Sequence, residues 1–259
     1  MDEFFARGWV KFPHEPALAR WAAHADVAAR AAEADAANAR WRLCGGTWFA
    51  GVNALENDSV GRLPGGPPLT GAAIDAALAA VGGGFAFDRA QASVIYPGYP
   101  KRGEEESEAA FRYRRHRDAA HVDGLHRVMP GRRRMVREVH GFILGLPLNE
   151  APAGAAPFTI WEGSHRIIRS ALAAVLSGVP PETWAQTDVT EAYQAARRLC
   201  FETLPRVEIA AAPGEAYLVH RLALHGVAPW RAGGARRAVA YFRPDPHPCA
   251  DWRWWLSAA

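Results

Sequence analysis

Six short runs, each rich in β-branched or aromatic residues, fall between residues 92 and 242. They are ASVIY (92–96), VHGFILGLPL (139–148), PFTIW (157–161), RVEI (206–209), EAYLV (215–219) and RRAVAYF (236–242). Gly and Pro punctuate them, and no helix follows each strand in turn. Such a series predicts an antiparallel sandwich or jelly roll and argues against a parallel sheet. One helical insertion, about 166–200, interrupts it. The chain ahead of residue 91 reads as mostly helical. GWVKF (8–12) is a brief extended piece, and an Ala-rich helix runs from Glu15 to about Asn38 with Leu18, Trp21, Ala25 and Ala29 near one face. Segment 44–69 is loop-rich, and Thr70 is placed to cap a short helix ending near Ala80. The expectation is a single domain over 1–259, mainly β with flanking helices: a helical part to 90, a jelly-roll core over 91–243 and a tail over 244–259.

Composition narrows the function. With 49% hydrophobic and 22% charged residues, a chain of 259 residues can bury a full core. A net charge of +3 makes no general case for nucleic acid, and no run of about 18 apolar residues predicts a membrane span. Cys44, Cys200 and Cys249 are far apart and form no CxxC. With no signal-type segment at the start, a reducing cytoplasm is expected. The charged stretch 101–117 reads as an exposed loop. GRRRMVR (131–137) reads as a solvated loop, with attraction of an anionic substrate such as a phosphate or CoA group as the functional alternative.

The stretch HRDAAHVD (116–123) holds His-x-Asp twice, as His116 with Asp118 and His121 with Asp123. In a strand, residues i and i+2 share a face, so either pair can grip one ion. His116 stands among arginines that repel a cation. His121 has small and apolar neighbours, and Gly124 permits a turn or close approach, so His121 and Asp123 are the preferred pair. The best third ligand is His225 in GEAYLVHRLALHGVAPW (214–230), brought close by long-range strand pairing. Two imidazoles and one carboxylate on one side of an ion leave three positions open, an arrangement suited to non-haem Fe(II) and oxygen chemistry. His220 and His165 read as structural, Tyr96 as a packed aromatic, and Trp252, Trp254 and Trp255 as a tail docking onto the body.

The order His-x-Asp, then TIWEGSHR (159–166), then GEAYLVHRLALHG with an Arg eleven residues past His225, resembles the phytanoyl-CoA dioxygenase family. The resemblance spans roughly 91–243, and FFARGWVKF (4–12) is similar to the family's opening. It implies a double-stranded β-helix, Fe(II) as metal, and 2-oxoglutarate and O2 as cosubstrates. Carried over, it makes His121, Asp123 and His225 the iron ligands and Arg236 the anchor for the cosubstrate's far carboxylate. Strand parity alone leaves Arg236 and Arg237 both open; the spacing favours Arg236. Val227 stands where the family often has a Ser that helps bind 2-oxoglutarate. Because Asp123 is kept, where halogenating relatives carry a small residue, hydroxylation of a small organic substrate, or a related oxidation such as desaturation, is the implied outcome. The rival reading is a jelly-roll protein that binds metal or an anion without turnover.

Overall fold

The structure is a computed structural model and describes residues 1–245 and 252–257. Helix α1 (Asp2–Arg7) leads into strand β1 (Trp9–Phe12) and helix α2 (Pro16–Ala34). The two-residue strands β2 (Arg42–Leu43) and β3 (Trp48–Phe49) precede α3 (Ala72–Ala80) and β4 (Gln91–Ile95). Next come α4 (Glu108–Arg117), the hairpin of β5 (Leu125–Val128) and β6 (Arg133–Val136), then β7 (Phe142–Pro147) and β8 (Phe158–Trp161). Helices α5 (Ser164–Leu176) and α6 (Thr190–Thr203) form the insertion, and β9 (Arg206–Ile209), β10 (Ala216–His220), β11 (His225–Val227) and β12 (Arg237–Phe242) follow.

Seven strands make one antiparallel sheet in the order β1-β10-β7-β12-β4-β3-β2, and three make a second, β11-β8-β9. Alternation sorts the side chains. Trp9, Ile143, Tyr217, Val219, Val239 and Tyr241 of the large sheet pack against Phe158, Ile160 and Ile209 of the small one, so the two sheets face each other. The opposite face of the large sheet, with Val94, Leu144, Leu218, Ala240 and Phe242, lies under α2 and α3 and meets Leu18, Trp21, Ala25, Ala29 and Ile74. The architecture is therefore the predicted one, an antiparallel two-sheet jelly roll with flanking helices. A further apolar cluster joins α5 and α6 to Leu125, Val136, Trp161 and Trp255. Arg221 clamps the tail there, with Nε donating to the Trp255 carbonyl at 2.9 Å.

Several local expectations change. The charged stretch 101–117 is helical from Glu108, because Ser107 accepts the amide of Ala110 and the Glu, Ala and Arg that follow favour a helix. GRRRMVR contains strand β6 instead of a loop, because Leu125 and Val136 give the hairpin a buried face. Helix α3 starts after Gly71 without help from Thr70; the Ala72 amide donates to Glu15 Oε1 at 2.9 Å. Among the described residues no helix is long and apolar enough to cross a membrane. Cys44 and Cys200 are buried and free, and Cys249 lies outside the described residues.

Candidate metal centre

Strand β11 pairs with β8, and its other edge meets the segment before β5. His121 and His225 form a bridge there, with His121 N donating to His225 O at 2.8 Å and His225 N to His121 O at 3.0 Å. Val227 N donates to Asp118 O at 3.1 Å, which extends the contact. So close an approach requires glycine at 226, where a Cβ would meet Asp118 O at 2.3 Å. Gly124 turns the chain just past Asp123, at φ 80° and against the Glu138 carbonyl, where a Cβ would sit 2.2 Å away. The backbone thus aims both imidazoles and one carboxylate at one point.

His121 Nε2 lies 3.1 Å from Asp123 Oδ1, and His225 Nε2 lies 3.6 Å from Asp123 Oδ2. One ligand atom from each residue lies within 4.8 Å of the other two. Both rings are held the same way. His121 Nδ1 is 3.1 Å from Ala119 O, and His225 Nδ1 is 2.9 Å from Ala223 O. A carbonyl only accepts, so each Nδ1 carries a proton and each ring turns its Nε2 towards Asp123. His225 Nε2 is buried without a hydrogen-bond partner. Burial pushes the His225 imidazole below its ordinary value against the pull of Asp123, which keeps the ring neutral. Burial would raise the Asp123 carboxyl, but Arg243 and the two imidazoles outweigh it and hold it well below the usual carboxylate range. Two imidazole nitrogens, one ionised carboxylate and an unpaired buried nitrogen fit a divalent cation.

Arg243 was invisible to motif spacing. It lies just past β12, its Nε 2.5 Å from Asp123 Oδ2 and its Nη1 2.6 Å from Gln91 Oε1. Its backbone is gripped too: the Arg243 amide donates to Asp88 Oδ1 at 2.9 Å, and His140 Nδ1 lies 3.1 Å from the Arg243 carbonyl. The parity of β12 could have found it, since Arg237, Val239, Tyr241 and Arg243 share a face.

The twin His-x-Asp motifs separate cleanly. His116 lies exposed in the last turn of α4, whereas Asp118, in the left-handed conformation at φ 53°, turns inward to Arg206 Nε at 2.5 Å. Neither joins the group of three.

The expectation for Arg236 is corrected. Its Nη1 lies 2.7 Å from Asp26 Oδ1 of α2, on the helix-covered face of the large sheet, outside the barrel. Arg237 is the interior arginine, because Val239 and Tyr241 of the same parity belong to the inter-sheet core. Its Nη2 lies 3.4 Å from the Tyr241 hydroxyl, and its Nη1 is buried without a partner. The Tyr217 and Tyr241 hydroxyls are 2.9 Å apart, and burial raises the Tyr217 phenol well above its ordinary value, so it stays neutral. A cavity of about 240 Å³ opens beside Arg237, Tyr217, Val239 and Pro147. It does not reach the three candidate ligands. Phe158 touches both regions, stacked 5.4 Å from the His225 ring and tilted against that of Tyr217 at 5.3 Å.

Four other histidines have structural partners. His220 Nδ1 accepts the Leu222 amide at 3.1 Å, His165 Nε2 lies 3.0 Å from Phe5 O, and His126 and His140 flank Glu138 at 3.3 and 3.2 Å. Tyr96 faces away from the barrel and donates to Glu33 Oε1 at 2.6 Å.

No protein-family model matches this sequence, and no curated protein matches it in sequence. The architecture is shared with solved structures of non-heme α-ketoglutarate-dependent enzymes. One is the carbocyclase SnoK from nogalamycin biosynthesis, at 13% identity and a TM-score of 0.54 over 94% of this chain and 82% of that one. Another is the epimerase SnoN in complex with Fe3+, α-ketoglutarate and nogalamycin RO, at 14% identity and a TM-score of 0.51 over 94% and 81% of the two chains. At these identities the likeness establishes the fold.

Proposed function

We propose that this chain is an Fe(II)- and 2-oxoglutarate-dependent oxygenase that hydroxylates a small organic substrate. The observation that carries the reading is the convergence of His121, Asp123 and His225, both rings with Nδ1–H spent on a carbonyl and Nε2 aimed at an ionised carboxylate. These three residues would hold iron. Arg237 takes the role first expected of Arg236 and would receive the far carboxylate of 2-oxoglutarate, since it is buried among phenols and its guanidinium fork matches a carboxylate. The Tyr217 and Tyr241 hydroxyls stand beside it and can donate where Val227 cannot. Bound there, iron with 2-oxoglutarate and O2 supplies oxidation of a substrate C–H bond, with release of succinate and CO2. The protein's part is to orient the ligands, keep Asp123 ionised through Arg243, and exclude water around the inner sheet faces. The fold shared with SnoK and SnoN supports this reading, as does the organic ligand named with SnoN.

Anaerobic titration with Fe(II) and then 2-oxoglutarate tests it. A weak visible charge-transfer band should develop, and air should release succinate. His121→Ala should lose both signals, while His116→Ala keeps them. Metal binding with no band and no consumption of 2-oxoglutarate would leave the non-catalytic metal-binding protein as the correct reading.

A further inference from the structure

The basic stretch beyond the candidate metal loop is not used by the oxygenase reading. In the β5–β6 hairpin, Arg127 and Arg134 are direct cross-strand partners, so their side chains leave the same face. That face also carries Leu125 and Val136 into the cluster shared with α6. Arg197 of α6 belongs to the same patch, its guanidinium carbon 5.0 Å from the ring centre of Tyr113 and 5.4 Å from that of Tyr193. Like charges directly opposite on a sheet destabilise it. Burial and then the charges of Arg127 and Arg197 lower the Arg134 guanidinium below its ordinary value. Arg133, on the other face of the hairpin, has Asp188 at 3.0 Å. Among the described residues, none of Arg127, Arg134 and Arg197 forms an ion pair with a carboxylate. The patch is also wired to the metal loop: Tyr113 donates to Ala120 O at 2.7 Å, Tyr193 Oη accepts the Val122 amide at 3.2 Å, and Arg134 Nη1 donates to Leu125 O at 2.7 Å.

We propose that Arg127, Arg134 and Arg197 form a binding site for a phosphate group, outside the barrel and behind residues 120–125. The chemistry follows from charge and shape. A phosphate carries close to two negative charges near neutral pH, and its oxygens accept from several guanidinium forks at once. Binding removes the mutual repulsion of the arginines and braces the hairpin against α6. The site does not depend on the oxygenase reading and stands if that reading fails. Free inorganic phosphate and the phosphomonoester of a larger molecule share this chemistry.

The test is calorimetric titration of the full-length protein, without added metal, at constant ionic strength, using inorganic phosphate in one arm and phenyl phosphate in the other. Saturable binding is expected with a dissociation constant below about 1 mM, weakened by about 10-fold or more in Arg127→Gln/Arg134→Gln. Phosphate should raise the melting temperature of the wild type and not that of the variant. Without phosphate Arg127→Gln, which leaves the bond from Arg134 to the Leu125 carbonyl in place, should melt no lower than the wild type, because repulsion has been removed. Arg127→Gln alone alters an exposed residue and provides the same comparison if the double variant folds poorly. Tighter binding of phenyl phosphate assigns a monoester; tighter binding of inorganic phosphate assigns the free anion. No saturable binding, or equal affinity in wild type and variant, overturns the proposal.

Discussion

The two faces of β12 bury arginine in opposite ways. On the helix-covered face, Arg236 has a carboxylate from its own chain, Asp26, which is shared with Arg30 at 3.0 Å. Its Nε and Nη2 remain unpaired, but its charge is balanced. On the inner face, Arg243 has Asp123, whereas Arg237 has only the phenols of Tyr217 and Tyr241 around it. A buried cation without a counter-charge costs folding free energy. The outer face is complete as folded. The inner face has a charge with no carboxylate beside it, at the arginine proposed above to receive the cosubstrate's far end. The buried unpaired nitrogens occur on both faces, so the missing carboxylate is the better guide to a ligand.

The largest expected effect breaks that contrast directly. Arg237→Leu should weaken 2-oxoglutarate binding to the iron-loaded protein by about 100-fold or more, because a charge-assisted pair is lost. Yet its unfolding free energy without ligand should stay level or rise, since removing an uncompensated buried charge relieves the native state. Arg236→Leu should do the reverse. It should lower stability by about 1–3 kcal/mol, less than a fully buried pair would lose because Arg30 still serves Asp26, and leave cosubstrate affinity within about 3-fold. Denaturant unfolding and the visible-band titration, run on both variants, read the two quantities separately. If Arg236→Leu carries the loss of cosubstrate binding, the assignment of faces is wrong.

Much of this was legible beforehand, for reasons tied to particular residues. Strands β4, β7, β8, β9, β10 and β12 announce themselves through β-branched and aromatic runs, and α2 through its Ala-rich face with Leu18, Trp21, Ala25 and Ala29 buried. His121, Asp123 and His225 could be grouped because residues i and i+2 of a strand share a face and long-range strand pairing brings a distant histidine beside them; the close approach at Gly226 shows only in the structure. Arg236 was misplaced because parity left both arginines open and its distance from His225 along the chain decided between them, whereas the connection between β11 and β12 sets which arginine turns inward. Arg243 and Gln91 escaped notice because neither belongs to a motif; only pairing of β12 with β4 brings them together. The β5–β6 hairpin was hidden by its charge. Its buried face rests on Leu125 and Val136, too few apolar residues to outweigh five arginines in the local pattern.

The smallest effect sharpens the comparison at the end of the inner face, where Asp88 accepts the Arg243 amide. Burial pushes the Asp88 carboxyl up to about 6 from an ordinary value of 3.8, against the opposing pull of Arg243. A carboxyl whose value is higher folded than unfolded favours the native state while it is protonated. That contribution is fully present below about pH 4 and is lost as pH rises through about 6. The full shift corresponds to about 3 kcal/mol, and partial solvent access reduces it to about 1–2 kcal/mol. Asp88→Asn keeps a carbonyl for the Arg243 amide and cannot ionise. It should therefore gain about 1–2 kcal/mol relative to the wild type at pH 8, with the gain shrinking towards pH 4. The quantity to read is the difference between the two proteins at each pH, since buried histidines such as His165 and His220 titrate in both. A difference that stays flat from pH 4 to 8 would mean that Asp88 is already ionised at little cost. Arg243 would then have a second compensated carboxylate, leaving Arg237 as the inner-face arginine without one.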